Sequence, residues 1–285
     1  MEDPGEHLLA IVLDTNLTSV VSSGGDAGAV LDSILAFCNA HLMSSTANLL
    51  CLTVAHGREN RVLFPPELDD GQSAQAHYEL FSQSSSGIVR QLKAMMEAAP
   101  PDPQTSAPMA AGLAMSLCFI SRVSRERPPH ARLQKRVLIV SGQGTVSAQY
   151  MDLMNVFFTA QKLEIQVDAC VLGAESGVLQ QGADITGGVC VRVPQPRGLL
   201  QYLLWAFLPF GEQRQKLALP EPPVVDYRAA CFCHRQLVSV GFVCSVCLSI
   251  FCKFAPICST CHTVFKVKGM SLPKPSKRKR PKQGL

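Results

Sequence analysis

Short apolar runs alternate with longer segments of helical periodicity over the first 209 residues of the chain. Six runs rich in β-branched residues predict strands, at residues 8–13, 49–55, 61–64, 137–140, 165–171 and 189–193. Six segments in which apolar residues recur three or four positions apart predict helices, at residues 28–43, 87–98, 109–122, 147–163, 177–185 and 198–208. Such alternation is typical of a mostly parallel sheet covered on both faces. We therefore predict a doubly wound α/β domain over residues 1–209, with 49–55 and 61–64 paired as an edge hairpin.

The rest of the chain divides into three segments of different composition. Residues 209–225 contain four prolines and little apolar periodicity, so residues 210–225 are predicted to be a linker. Residues 226–268 are crowded with cysteines and are predicted to be a small metal-binding module. Residues 269–285 are predicted to be a basic, disordered tail.

The composition favours a folded body with a separate basic tail. Only 17% of the 285 residues are charged and 47% are hydrophobic, which excludes global disorder and predicts a sizeable core. The net charge is +4, but residues 274–282 carry six basic residues and no acidic one, which leaves 20 basic and 22 acidic residues elsewhere. The body is therefore not a basic nucleic-acid-binding surface, and the tail is predicted to direct nuclear import. The basic residues of the tail are Lys274, Lys277, Arg278, Lys279, Arg280 and Lys282.

Cysteine usage indicates a reducing compartment and bound metal. The chain opens with acidic residues in place of the basic region of a signal peptide. Its longest apolar run, residues 199–210, is short of the roughly 20 residues that span a bilayer. We therefore expect no membrane association and reduced thiols. Seven of the twelve cysteines lie between Cys231 and Cys261, and such crowding of reduced thiols predicts a metal site.

Two C-x-x-C pairs form the most specific motif of the chain, Cys244 with Cys247 and Cys258 with Cys261. Each pair can present two thiolates to one zinc ion, and four thiolates complete a tetrahedron. Because such a site has no open position for water or substrate, its role is structural. We predict a zinc ion bound by these four cysteines.

Four further residues leave a second metal site open. Cys231 and His234 have the spacing of another ligand pair, and Cys233 and Cys252 lie nearby in the sequence. However, Cys252 is followed by Lys253, Phe254 and Ala255, so the second residue of a pair is missing. The pattern is that of half of a cross-braced double site, and one working zinc ion is the expectation.

The end of the first predicted strand carries a possible cation site. Asp14, Asn16 and Thr18 occupy the positions of the D-x-S-x-S motif with which von Willebrand A domains hold a divalent cation. A second carboxylate is expected after the fourth strand, where residues 142–144 are Gly-Gln-Gly. Because one carboxylate offsets little of the dehydration of a hard cation, we expect a vestigial strand end.

Motifs of catalysis are absent from the sequence. The chain has no G-x-S-x-G, no H-E-x-x-H and no G-x-x-x-x-G-K-[ST]. The glycine turn at residues 141–144 lacks the rest of a nucleotide-binding fingerprint. We therefore predict a protein that is not an enzyme.

Four segments carry a family resemblance, at residues 147–162, 203–209, 225–235 and 241–252. With the degenerate strand end and the zinc module, they resemble the Tfb4 family, the small von Willebrand A-like and zinc-finger subunits of transcription and repair factor TFIIH. The resemblance implies a nuclear, non-catalytic core subunit whose partners are the larger subunit with the same two domain types and other core subunits. It also implies a role in RNA polymerase II initiation and nucleotide excision repair, with nucleic acid contacted only indirectly.

Three other classes of protein remain as alternatives. A RING-like ubiquitin-ligase component normally needs two cross-braced zinc sites, and the missing partner of Cys252 argues against it. A cation-dependent receptor domain needs the oxygen ligands that Asn16 and residues 142–144 compromise. A zinc protein that binds DNA directly needs a notably basic module, and residues 226–268 are not notably basic. Ubiquitin-discharge and filter-binding assays separate these classes from a scaffold.

Overall fold

The computed structural model describes residues 6–16, 25–57, 59–65, 77–98, 108–128, 133–142, 149–219, 224–234 and 236–265. The chain divides into two compact units, Met1–Tyr227 and Arg228–Leu285. The basic tail predicted at residues 269–285 lies outside the described residues.

The first unit contains a six-stranded sheet of order β3-β2-β1-β4-β5-β6. The strands are β1 Glu6–Asp14, β2 Leu49–His56, β3 Glu59–Phe64, β4 Leu133–Ser141, β5 Gln166–Val171 and β6 Cys190–Arg192. Neighbouring strands are parallel except for β3, which pairs antiparallel with β2 at one edge. All six predicted strands and the edge hairpin are confirmed.

Helices connect these strands. They are α1 Ala27–Ser44, α2 His77–Ala98, α3 Met109–Glu126, α4 Tyr150–Lys162, α5 Gly177–Thr186, α6 Leu199–Tyr202 and α7 Gly211–Gln215. A 3₁₀ turn, Pro196–Gly198, precedes α6, and a π-helical turn, Leu203–Phe207, follows it. Helix α2 begins ten residues before the predicted start at 87, because its first half is rich in serine and has little apolar periodicity.

The two faces of the sheet are covered by different helices. Leu9, Ile11 and Leu13 of β1 belong to a buried cluster with residues of α1, α2 and the segment 199–207. The other face of β1 meets α3, which approaches so closely that a Cβ at Gly112 would lie 3.3 Å from Val12 Cγ1. This alternation along a strand that is buried from Leu8 to Asp14 confirms the predicted doubly wound α/β class.

Helix α1 has the length and composition of a membrane-spanning helix. Its buried residues include Val30, Ile34 and Phe37, which pack in the core cluster against the sheet. These contacts are those of a core helix of a folded domain.

An ion-pair network holds the end of the first unit against the sheet. Arg214 of α7 donates two hydrogen bonds of 2.9 Å to the carboxylate of Asp168 in β5. Arg136 of β4 lies 3.5 Å from the same carboxylate and 3.9 Å above the ring of Phe210. Residues 210–219 are therefore packed on the domain, and the first unit extends to Tyr227, beyond the boundary predicted at 209. The linker prediction rested on the four prolines of residues 209–225, and none of these lies within residues 210–219.

The second unit consists of short hairpins. Its strands are β7 Ala229–Ala230, β8 Leu237–Val238, β9 Phe242–Val243 and β10 Ile250–Phe251. Strand β7 pairs with β8 and β9 with β10, both antiparallel, and an isolated bridge joins Ile257 and Val264. The buried apolar cluster of this unit is small and contains two cysteines, Cys244 and Cys258, beside Phe251.

Candidate metal centres

The first C-x-x-C pair lies in a tight backbone turn between β9 and β10. The N–H of Cys244 donates to the carbonyl of Ser249, and the N–H of Leu248 donates back to the carbonyl of Cys244, both at 2.9 Å. Leu248 adopts a φ of 60°, a left-handed conformation that an L-residue rarely takes. The turn has the geometry of a zinc knuckle, which brings the side chains of Cys244 and Cys247 to one side.

The second C-x-x-C pair repeats this geometry. The N–H of Cys258 donates to the carbonyl of Thr263, and the N–H of His262 donates to the carbonyl of Cys258, again at 2.9 Å. His262 has a φ of 58°, at the position that corresponds to the left-handed residue of the first knuckle. Both pairs are thus presented by the same local fold.

The two knuckles bring all four thiols together. The sulfur of Cys244 lies 3.6 Å from that of Cys261, and the sulfur of Cys247 lies 3.6 Å from that of Cys258. A tetrahedral zinc ion with bonds of about 2.3 Å separates its sulfur ligands by about 3.8 Å. The four ligand atoms lie within 4.8 Å of one another, so the group can hold a metal ion.

Hydroxyl groups next to two of the cysteines favour the thiolate form. Ser249 Oγ lies 3.2 Å from Cys247 Sγ, and Thr263 Oγ1 lies 3.2 Å from Cys261 Sγ. The bond with Ser249 is the main cause that lowers the pKa of Cys247 to about 6. The corresponding bond with Thr263 is the main cause that lowers the pKa of Cys261. Such outer partners orient metal ligands and stabilise their charge.

A second group of potential ligands lies in the same unit. Cys233 Sγ is 3.3 Å from Cys252 Sγ, and Cys252 Sγ is 3.3 Å from His234 Nδ1. Cys231 completes the group, in which all ligand atoms again lie within 4.8 Å of one another. The sequence shows no partner for Cys252 in the three residues that follow it, whereas the structure places Cys233 beside it. This group can therefore also hold a metal ion.

The end of β1 is a hydrogen-bonded cluster around one buried carboxylate. Asp14 Oδ1 accepts a hydrogen bond of 2.9 Å from the backbone of Asn16, and Ser141 Oγ donates to Asp14 Oδ2 at 3.4 Å. Thr15 Oγ1 lies 2.7 Å from His56 Nδ1. Burial raises the pKa of Asp14 to about 6, against the opposing effect of its two donors. Thr18 and residues 143–144 lie outside the described residues, so the prediction of a vestigial cation site stays a prediction.

The six basic residues of the tail, 274–282, are not among the described residues. Their assignment to nuclear targeting stays a prediction.

The fold and the two cysteine groups define a class of protein, a doubly wound α/β domain followed by a cysteine-rich unit with two potential metal centres. A profile of the family described as Transcription factor Tfb4 matches residues 6–262. The chain therefore belongs to the Tfb4 family and is a subunit of TFIIH.

Individual relatives agree with this assignment. The Schizosaccharomyces pombe protein "General transcription and DNA repair factor IIH subunit tfb4" is 36% identical over 93% of this chain and 90% of its own length. The Arabidopsis thaliana TFB4 subunit is 33% identical over 96% of this chain and 95% of its own length. Among solved structures, the TFIIH p34 N-terminal domain matches with a TM-score of 0.61 and 28% identity, over 70% of this chain and 97% of that one. The predicted family and the predicted assignment to TFIIH are confirmed.

Proposed function

We propose that this protein is a non-catalytic structural subunit of the TFIIH core, which docks partner subunits for RNA polymerase II initiation and nucleotide excision repair. The observation that carries the proposal is family membership over almost the whole chain, together with a four-thiolate group in the second unit. Four thiolates fill the coordination sphere of zinc, so a metal bound there cross-links the polypeptide.

The metal proposed for Cys244, Cys247, Cys258 and Cys261 is zinc. An all-sulfur tetrahedral donor set suits zinc, and the sulfur separations of 3.6 Å are near those of a zinc tetrathiolate. When bound, the ion supplies folding energy to a unit whose apolar cluster is small. Substitution of Cys258 by serine should therefore unfold the unit, whereas the same change at Cys118, an exposed cysteine of α3, should not.

The partner proposed for this chain is the larger von Willebrand A-like and zinc-finger subunit of TFIIH, with other core subunits around it. The second unit supports a docking role because it exposes many apolar side chains for its size. Those more than half exposed include Val240, Val243, Val246, Leu248 and Ile257. Patches of this kind on a small unit are typical of protein interfaces. Nucleic acid would be contacted only through the complex, and no membrane is involved.

A direct test of the non-catalytic role uses the purified full-length chain. We expect no ATP hydrolysis, strand separation or ubiquitin discharge after partner chains have been removed. Any of these activities that persists through further purification, and that a single substitution in this chain abolishes, would overturn the proposal.

The nucleus is the proposed location, with residues 274–282 as the import signal. Six positive charges over nine residues suit the acidic groove of an import receptor. Replacement of the six basic residues by alanine in a fluorescent fusion should shift the protein toward the cytoplasm. The fusion should be imaged in cells with the TFIIH partner depleted, because the partner can carry the chain into the nucleus. Nuclear fluorescence that is unchanged there would refute the signal.

A further inference from the structure

The segment between β7 and β8 has the backbone closure of a third metal-binding knuckle. The N–H of Cys231 donates to the carbonyl of Gln236 at 2.9 Å, with the same five-residue spacing as the bonds that close the two C-x-x-C knuckles. The flanking residues Ala230 and Leu237 pair antiparallel, as the residues that flank the other two knuckles do. One local fold thus occurs three times in the second unit.

The ligand positions of this third knuckle are occupied. In each C-x-x-C knuckle the ligands are the first and fourth residues, and in the third knuckle these are Cys231 and His234. Cys231 Sγ lies 4.0 Å from His234 Nδ1. A tetrahedral zinc ion with a sulfur and a nitrogen ligand separates them by about 3.6 Å. The knuckle therefore presents one thiolate and one imidazole in the way that the others present two thiolates.

Two more thiols complete a tetrahedral donor set. Cys233 is brought to Cys252, at the end of β10, by a backbone hydrogen bond of 2.8 Å from Phe232 to Ile250. The sulfur of Cys252 is 3.3 Å from both the sulfur of Cys233 and Nδ1 of His234. We propose that Cys231, Cys233, His234 and Cys252 bind a second structural zinc ion.

A disulfide between Cys233 and Cys252 is the simplest competing explanation of their proximity. The sulfur separation of 3.3 Å is well beyond a covalent bond of about 2.05 Å. A disulfide would also leave the convergence of Cys231 and His234 on the same point without a role. Zinc uses all four groups and suits a donor set of three thiolates and one imidazole.

The order of ligands along the chain shows how the two sites would act together. Residues 231–234 belong to the second site, Cys244 and Cys247 to the first, Cys252 to the second, and Cys258 and Cys261 to the first. The ligands of the two sites therefore alternate along the chain. Each ion would join two segments of the chain, and between those segments lies at least one ligand of the other ion. Because the apolar cluster of the unit is small, each ion stabilises the fold that presents the other ion's ligands. This coupling goes beyond the single zinc ion in the proposed function.

Zinc stoichiometry of the full-length chain tests the proposal. Plasma mass spectrometry of protein purified under reducing conditions, after gel filtration in zinc-free buffer, should find two zinc ions per chain. Cys118→Ser, the control at a cysteine of neither group, should retain both. Cys252→Ser should lose at least one ion, and His234→Cys, which replaces one good zinc ligand by another, should retain two.

The outcomes separate the two sites. One zinc ion per wild-type chain that Cys252→Ser leaves unchanged would overturn the second site and leave the first. A content that falls with Cys252→Ser and not with Cys258→Ser would support the second site and overturn the first. Cobalt substitution gives an independent reading, because a Cys₃His site and a Cys₄ site have different visible spectra. A disulfide between Cys233 and Cys252, found by peptide mapping of freshly prepared protein, would contradict the proposal.

Discussion

Removal of the buried carboxylate of Asp168 should destabilise the first unit strongly. The side chain is fully buried and accepts two hydrogen bonds of 2.9 Å from Arg214 and one of 2.8 Å from the N–H of Val189. The substitution Asp168→Ala leaves two buried guanidinium groups, those of Arg136 and Arg214, without their counter-charge. Loss of one partner of a buried ion pair costs about 3–5 kcal/mol. For a domain of this size that corresponds to a fall in Tm of about 6–20 °C.

The single tryptophan makes this measurement specific to the first unit. Trp205 lies in the π-helical turn of that unit, so its fluorescence during urea unfolding reports the α/β domain without a contribution from the second unit. Glu175→Ala is the matched control, since it breaks an ion pair with Arg192 in which both side chains are more than half exposed. Such surface pairs contribute about 0–1 kcal/mol. If Asp168→Ala lowers the free energy of unfolding by no more than Glu175→Ala does, the network is not what holds α7 on the sheet.

Two further predictions follow from single positions in the first unit. A Cβ at Gly188 would lie 1.9 Å from the carbonyl oxygen of Val167, so Gly188→Ala should lower the free energy of unfolding by at least about 2 kcal/mol. The control is Gly87→Ala, in open space within α2, which should raise the free energy of unfolding by about 0.5–1 kcal/mol. Equal effects of the two changes in a urea titration would show that the packing at Gly188 is wrong. Because burial raises the pKa of Asp14 to about 6, the folded state holds this proton more tightly than the unfolded chain, and its contribution to stability falls as the pH rises from about 4 to about 6. Asp14→Asn should therefore stabilise the protein at pH 7.5 by up to about 3 kcal/mol and much less at pH 4, with or without Mg²⁺. A variant destabilised at pH 7.5 would contradict the argument from burial, and a wild-type protein whose Tm rises with Mg²⁺ and falls when it is removed would indicate a working cation site.

The pattern of apolar residues was sufficient to predict the strands of the sheet, but not to predict the first half of α2 or α7. Buried parallel strands need apolar side chains on both faces, so their runs stand out in the sequence. The first half of α2 is polar and serine-rich, and the buried residue among the described side chains of α7 is charged, Arg214. Neither segment has the periodicity on which helix prediction depends. The partner of Arg214 was also hidden, because Asp168 lies within a predicted buried strand but the sequence does not show which cation meets it.

In the second unit, too, one part could be predicted from the sequence and another could not. The ligands of the four-cysteine group were identifiable because C-x-x-C pairs have a fixed spacing that follows from the knuckle. The four residues of the second group could be named from the sequence, but their convergence could not be predicted, because Cys233 meets Cys252 through a backbone hydrogen bond between separate hairpins, from Phe232 to Ile250. The repetition of the knuckle three times depends on backbone hydrogen bonds and not on side chains, so it emerged only from the structure.

The central claim, that the chain is a structural TFIIH subunit whose zinc-binding unit is needed for assembly, is tested most directly by quantitative affinity purification. The tagged full-length chain is expressed in cells, and the TFIIH subunits recovered with it are measured by mass spectrometry. We expect the larger von Willebrand A-like and zinc-finger subunit and other core subunits in near-equal amounts with the wild type and with Cys118→Ser. With Cys258→Ser, at equal amounts of tagged chain, we expect their recovery to fall at least tenfold. Full recovery of these subunits with Cys258→Ser, or their absence with the wild type, would contradict the account.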